Sequence, residues 1–330
     1  MTTSPYSFIF KSNQRFVRGV EMRWPWARQT REPGWLAISL RTEEMSFAHG
    51  QYVPGGACSI DRCGTVALEA GGAELAGKRL SLDRYQCTTL LTAGEYQMLL
   101  VDAPKVPQGE LKTAIRWRIK DLLDYHVDDA TVDVLALPEN PAGGERGRSM
   151  YAVAARNDVV QSCIQRFDQA HIPLSVIDIP EMAQRNLAAL FEADERGLAM
   201  LYVGEDQGLL TINFRGELML ARRIDVAFRE IAGGAARDDG LQRVLLELQR
   251  TFDHFDRQFA YVPIARLMLG PQPEETGLLE YLAANLDLPV ERAHLSSLIT
   301  FGAEAELDMR EEWRLFHLIG AALRHESKAL

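Results

Sequence analysis

No run of about 18 or more apolar residues occurs in this chain of 330 residues, and nothing near Met1 has the apolar core of a signal peptide. A membrane-spanning helix is therefore not expected. Cysteine is scarce, and Cys58, Cys63, Cys87 and Cys163 have neither CxxC nor metal-finger spacing. That spacing argues against a disulfide framework or a zinc module, and reduced structural thiols in a cytoplasmic protein are expected. Basic charge is short too. A net charge of −10 leaves no general surplus of Lys and Arg with which to displace counterions from nucleic acid.

Catalytic signatures are equally absent. There is no Gly-x-Ser-x-Gly elbow, no His-Glu-x-x-His and no closely spaced His/Asp/Glu ligand set. His126 and His254 stand alone beside helical patterns and read as solvated or satisfied histidines. The neighbouring carboxylates Asp128 and Asp129 read as a solvated turn. Gly72-Ala73-Glu74-Leu75-Ala76-Gly77-Lys78-Arg79 nearly matches a phosphate loop, but Arg79 stands where a Ser or Thr should hold magnesium. A Gly-rich β-turn is expected there.

What is present suits two domains. The length exceeds one ordinary core, and 47% hydrophobic with 25% charged residues is usual for a globular protein. Charge is unevenly placed. Residues 1–34 hold Lys11, Arg15, Arg18, Arg23, Arg28 and Arg31 against Glu21 and Glu32, a net +4 beside Trp24 and Trp26. Such a head reads as a disordered or loosely attached tail, or as a contact with the anionic inner face of a membrane.

Strands are expected at Trp35–Leu40, Met45–His49, Gln97–Val101, Tyr151–Arg156 and Leu174–Ile179, with helices from Asn157 to Ala170 and from Pro180 to Phe191. A three-strand meander over residues 198–223 precedes a long helix with Leu241, Val244, Leu245, Leu248, Phe252, Phe255 and Phe259 on one face. A strand at Arg266–Leu269 and a last helix near Glu311–Arg324 close the chain. Between the strands at Gln97–Val101 and Tyr151–Arg156, Leu111, Ile115, Leu122 and Val127, widened by Ile119 and Leu123, form a helical stripe that runs into a turn and the strand around Val132.

Residues 110–134 resemble the middle of the PilM family, which runs Glu-Leu, then Arg-Trp, then an aromatic residue and an acidic turn leading into a strand. The likeness is closest to the MshI-type branch of MSHA-pilus biogenesis proteins. It extends over about residues 35–324 through Val153-Ala154-Ala155-Arg156, Val176-Ile177-Asp178 and Ile319-Gly320-Ala321-Ala322-Leu323. The resemblance implies an α/β, actin-like (ribonuclease H-like) two-domain fold with an inserted small αβ subdomain of the FtsA/PilM type. It implies a first core of residues 35–92, 177–197 and 304–330, an insert of 93–176 and a second domain of 198–303. In MshI-like proteins a basic, Trp-containing leader directly precedes the first strand, so residues 1–21 are expected to be an extension upstream of a start at Met22.

The same resemblance implies a nucleotide site that can be compared by residue. The first phosphate turn, Asp-Ile-Gly-Ser in the family, becomes Ser39-Leu40-Arg41-Thr42, followed by Glu43 and Glu44. The second, Asp-Ile-Gly-Ala-Thr, becomes Tyr202-Val203-Gly204-Glu205-Asp206. The adenosine loop becomes Met268-Leu269-Gly270-Pro271 and Thr276-Gly277-Leu278. Only Gly204, Gly270 and Gly277 remain, both metal-supporting Asp residues are lost, and carboxylates would oppose phosphate. No cofactor and no ATP hydrolysis are therefore expected, ATP with magnesium being the disfavoured alternative.

What the resemblance then implies is a cytoplasmic scaffold, peripheral at the inner membrane, in an MSHA or other type IV pilus machine. Its expected partners are a PilN-like or PilO-like bitopic inner-membrane protein and the pilus assembly motor complex, with homodimerisation left open. The tail of the bitopic protein is expected at the seam between insert and first core, touching Ile115, Arg116, Trp117 and Ile119. A working ATPase and a type II secretion component are the rival readings.

Overall fold

The computed structural model describes residues 32–53, 57–68, 72–138, 149–193 and 195–325. The head with Met22, Trp24 and Trp26, and residues 139–148, lie outside them. Trp35–Leu40 (β1) and Glu44–Gln51 (β2) form an antiparallel hairpin from Trp35↔Gly50 to Leu40↔Met45, and Cys58–Ala67 (β3) completes a meander. The two-residue period of a strand sends Leu36 and Ile38 into one core cluster and Ala37 into another. Gly72–Arg79 (α1) is a helix, so the β-turn expected there is corrected: its two glycines do not form a loop, and Ala73 and Ala76 lie against the core. Cys87–Leu90 (β4) then runs parallel to β1.

The chain next builds a small sheet of Tyr96–Asp102 (β5), Ala130–Ala136 (β6) and Ser149–Arg156 (β7), ordered β5-β7-β6 and antiparallel throughout. Leu111–Ile119 (α2) covers one face, where Leu111, Ile115 and Ile119 meet Val132, Val134, Ala152 and Ala154. The opposite face presents Tyr151, Val153 and Ala155 to Asn157–Gln169 (α3), which packs in the same cluster as Leu36 and Ile38. This face anchors the module to the first core.

The helical stripe is shorter than its spacing suggests. α2 stops at Ile119, whose carbonyl accepts from both Leu122 N and Leu123 N, and Leu122 is left 55% exposed. A 3-10 turn follows at Val127–Asp129, with Asp128 N donating to the His126 ring. Asp128 and Asp129 therefore sit in a turn.

Leu174–Asp178 (β8) pairs with β4, and Pro180–Phe191 (α4) follows with its proline in the first turn, where no N–H is needed. The second half repeats the meander with Gly197–Val203 (β9), Gly208–Phe214 (β10) and Glu217–Ile224 (β11). Phe228–Ala232 (α5) and Arg237–Gln258 (α6) come next; Leu241, Val244, Leu248, Phe252 and Phe255 of α6 face the core, Leu245 is only partly covered, and Phe259 closes the helix end. Ile264–Leu269 (β12), Leu278–Asn285 (α7), Val290–Arg292 (β13), Ile299–Glu304 (β14) and Met309–Ala322 (α8) complete the chain.

Two larger sheets result, ordered β14-β3-β2-β1-β4-β8 and β11-β10-β9-β12-β13. Sheet membership shifts two expected edges. An insert ending at 176 would cut through β8, and a first core resuming at 304 would omit β14, which pairs with β3. β13 and β14 are short and partly exposed, so their sequences carry no clear alternation. Between the sheets, α4 and α8 cross in a cluster that joins Ala37 and Ala48 of the first sheet to Met200 and Met268 of the second. The crossing is tight: a Cβ on Gly320 would lie 2.2 Å from Ala183 O.

Candidate functional site

The β1–β2 turn and the β9–β10 turn reach toward each other from the two sheets. Arg41 Nη1 is 4.0 Å from Glu205 Oε2 and 3.5 Å from Glu44 Oε1, while Arg314 of α8 donates to Glu44 Oε2 at 2.7 Å. Glu44 beside it raises the Arg314 pKa further. A shallow hollow of about 520 Å³ beside the first turn is lined by Arg41, Glu43, Glu44 and Thr65. The acidic residues of these turns are therefore partly paired within the protein, which corrects the sequence view of two purely repulsive turns. Glu43 and Asp206 have no side-chain partner among the described residues.

Beneath the turns lies an aromatic layer. Tyr202 stacks on Phe316 with ring centroids 5.0 Å apart and donates its hydroxyl to Trp313 O at 2.9 Å. Trp313 Nε1 in turn donates to Val203 O at 2.7 Å. Burial pushes the Tyr202 phenol well above its usual pKa and drops that of His317 to about 3, so both are neutral at physiological pH. His317 Nε2 meets Gln184 Oε1 at 3.0 Å, and Gln184 Nε2 reaches Met200 O, Leu209 O and Thr211. These contacts tie α4 and α8 to the second sheet.

The three glycines expected to remain from a nucleotide site all have local structural duties. Gly204 N donates to Gln207 O at 3.0 Å to close its turn, and its carbonyl accepts from Phe228 N. Gly270 N donates to Leu201 O, and a Cβ there would lie 3.3 Å from the Tyr202 ring. Gly277 adopts φ 74°, and a Cβ would come 2.6 Å from Arg237 Nη2. Arg237 donates twice to Thr276 O, at 3.0 and 2.6 Å, so a guanidinium braces this loop. Among the described residues no group of three or more His, Cys, Asp or Glu side chains could hold a metal. All four cysteines are free.

A second candidate site lies on the small module. Ile115 and Ile119 are fully buried under α2, so neither can meet a partner, correcting the expectation for them. Arg116 is also engaged: Nη1 donates to Ala130 O and Nη2 to Val127 O, each at 2.6 Å, which staples α2 to the turn and to β6. Of the four expected contacts only Trp117 stands free, at 67% exposure. A groove of about 790 Å³ opens between the last turns of α2 and the return segment 121–128. It lies within the module, whereas the sequence reading placed the site at its seam with the first core.

No family model matches the chain, and no curated protein matches it. A solved structure of a PilM-PilN type IV pilus biogenesis complex matches with a TM-score of 0.65 at 15% identity, over 88% of this chain and 97% of that one. The cytoplasmic domain of EpsL, an inner membrane component of the Vibrio cholerae type II secretion system, matches at a TM-score of 0.44 and 12% identity, over 86% and 94%. A Bacteroides thetaiotaomicron protein of unknown function with an actin-like ATPase fold gives 0.45 at 12% identity, over 78% and 90%. The chain has an actin-like fold.

In this actin-like frame, the two sheets are the halves, and the turns to which the resemblance assigned phosphate contacts face each other through Arg41 and Glu205. Tyr202, which the resemblance set against the second metal-supporting Asp, is tied to α8 by its bond to Trp313 O. Arg314 and Arg237 were missed from the sequence. Both come from elements distant in the chain, and only a helix register placing position 314 over the first turn could have signalled the former.

Proposed function

We propose that this chain is a non-catalytic actin-like scaffold of an MSHA-type or related type IV pilus machine, held at the cytoplasmic face of the inner membrane. It holds the short cytoplasmic tail of a PilN-like single-span protein. The observation that carries the reading is the match over nearly the whole length of a protein solved in a PilM-PilN complex. The likeness of residues 110–134 to the MshI-type branch supports the MSHA assignment.

The absence of catalysis is part of the proposal. An ATP-driven member would need the turns at Arg41 and Glu205 to receive a triphosphate and a carboxylate to support its metal. Arg41 pairs with Glu205, and Tyr202, aligned by the resemblance with that carboxylate, is tied instead to Trp313 O. The rival ATPase is disfavoured on these grounds. Isothermal titration with the cytoplasmic tail of a PilN-like single-span protein tests the scaffold reading, with submillimolar binding expected. Loss of surface pili on deletion separates pilus use from secretion use; a secretion defect with normal pili would overturn the assignment.

A further inference from the structure

We infer that the free edge of β5 pairs with β5 of a second copy of this chain, antiparallel about a two-fold axis through Leu99. Two three-stranded sheets then join into one, ordered β6-β7-β5-β5-β7-β6. The docking element is a strand edge that no function assigned above uses.

Among the described strands, β5 is the one sheet edge left unprotected. It pairs with β7 alone, in an unbroken register from Tyr96↔Ala155 to Asp102↔Ser149, and no described strand lies on its other side. Its outward backbone N–H and C=O groups make no bond outside that ladder among the described residues, so they stand open to a further strand. Edges that avoid such pairing carry charge, proline, a bulge or a cover. β6, at the far side of the same sheet, has Asp133 bonded to Lys112 at 2.9 Å and Arg116 donating to Ala130 O. β8, β11 and β14 each shift register against a neighbour, β11 also carries Arg222 and Arg223, and β13 has three residues. In β5 only the terminal Asp102 is charged. The strand holds no proline or glycine, runs through Met98-Leu99-Leu100-Val101, and leaves Leu100 42% exposed.

The charges flanking β5 are complementary to themselves, which selects a second copy as the occupant. Near the start of the strand lie Glu95, whose carboxylate is bonded to Thr92, and Asp124, bonded to Gln97 Nε2 at 3.2 Å. Arg156, which neighbours that end through β7, is already paired with Asp158 at 3.5 Å. Near the end of the strand lie Arg118 and Lys105 against the single carboxylate of Asp102, and Arg118 shares a hollow with Leu100, Asp102 and Ser149. Neither Arg118 nor Lys105 has a side-chain partner among the described residues. In an antiparallel pair the start of one strand lies beside the end of the other, so carboxylates meet cations at both ends of the contact. A parallel pair would set like charge against like. Pairing centred on Leu99 also sets Met98 opposite Leu100 of the second copy, which gives the exposed leucine an apolar cross-strand neighbour. A single strand pair is a small interface, so a reversible dimer of micromolar affinity is expected.

Sedimentation velocity of the full chain under reducing conditions, over a concentration series, reads the equilibrium. A concentration-dependent dimer is expected, weakening several-fold at high salt. Amide exchange over residues 96–102 should slow as the dimer forms, while that of β6 stays constant. Leu100→Lys places a charge on the pairing edge and is expected to weaken dimerisation about tenfold or more. Arg118→Glu should weaken it several-fold, and adding Asp124→Arg should restore it, because the reversed charges again face each other across the axis. All three positions are exposed, so the monomeric variants should melt as the monomeric wild type does. Were Leu100→Lys to unfold, the charge-swapped pair would still decide. A chain that stays monomeric at every concentration would overturn the inference and leave the edge to a strand of another protein. A dimer indifferent to Leu100→Lys and Arg118→Glu would place the contact elsewhere. Weakening by Arg118→Glu without recovery in the swapped variant would overturn the antiparallel pairing.

Discussion

Arg41 Nη1 and Glu205 Oε2 stand 4.0 Å apart, one on each half of the molecule, at the two turns that the family resemblance assigns to phosphate. Both side chains are more than half exposed, so the pair itself contributes little stability, about 0–1 kcal/mol. Its significance is positional: a cation and an anion of the protein already face each other there.

Magnesium-dependent ATP binding is expected to be absent from the wild type. It should remain absent in Arg41→Ala, because Tyr202 is held by Trp313 O and Phe316 where a carboxylate would be needed. Calorimetry with ATP and magnesium decides this, and a micromolar dissociation constant in either protein would sink the non-catalytic reading.

Arg116 should behave as a structural staple. Arg116→Ala removes the donors to Val127 O and Ala130 O and is expected to cost about 1–3 kcal/mol of stability. Arg116→Lys should recover only part of that, since one ammonium cannot reproduce the two-pronged geometry. Urea unfolding of the three proteins checks it; an unchanged midpoint for Arg116→Ala would return this side chain to the partner surface.

Glu192 carries a pH dependence of known sign. Burial raises its pKa from 4.5 to about 7, opposed by the Gly216 N–H that donates to Oε2 at 2.7 Å, and Oε1 has no partner. The folded state therefore holds a proton that the unfolded state releases above 4.5, so this group's contribution becomes less favourable as pH rises from 4.5 to 7. Glu192→Gln is expected to be more stable than the wild type at pH 8 by about 1–3 kcal/mol. The gap should close near pH 4.5. Thermal melts across this range test it, and a gap independent of pH would exclude titration of Glu192 as its cause.

Gly320→Ala should be among the most damaging small substitutions, costing about 3 kcal/mol or more, because its Cβ would lie 2.2 Å from the Ala183 carbonyl oxygen. Gly109→Ala, where nothing lies within 4 Å of the added carbon, serves as the neutral control. Equal melting temperatures for the two variants would mean that the α4–α8 crossing yields more readily than its geometry implies.

The architecture was legible where periodicity was strong. The meanders at 35–67 and 197–224, the face of α6 and the strand at 151–156 all follow from two-residue or helical spacing. It was less legible where apolar spacing outran the element, as in Leu122 beyond the end of α2, or where two glycines suggested a turn that became α1. The altered phosphate turns were visible as residue types. Their pairing was not, because Arg314 and Glu44 are brought together by tertiary structure across 270 positions of chain. At the groove, sequence pointed to Trp117 but grouped it with Ile115, Arg116 and Ile119, whose side chains turn inward or are tied to backbone carbonyls.

The crossing of α4 and α8 has a mechanical consequence. Gly320 lies directly over Ala183, Asn186 Nδ2 donates to Gly320 O at 2.9 Å, and the same two helices grip the second sheet through Gln184 and Trp313 and the first through Arg314, which donates to Glu44 of β2. A hinge needs room for its parts to slide, and this contact has none. A pull on one half would pass directly to the other, so the molecule is suited to work as a strut, conveying tension between whatever it grips without itself changing length.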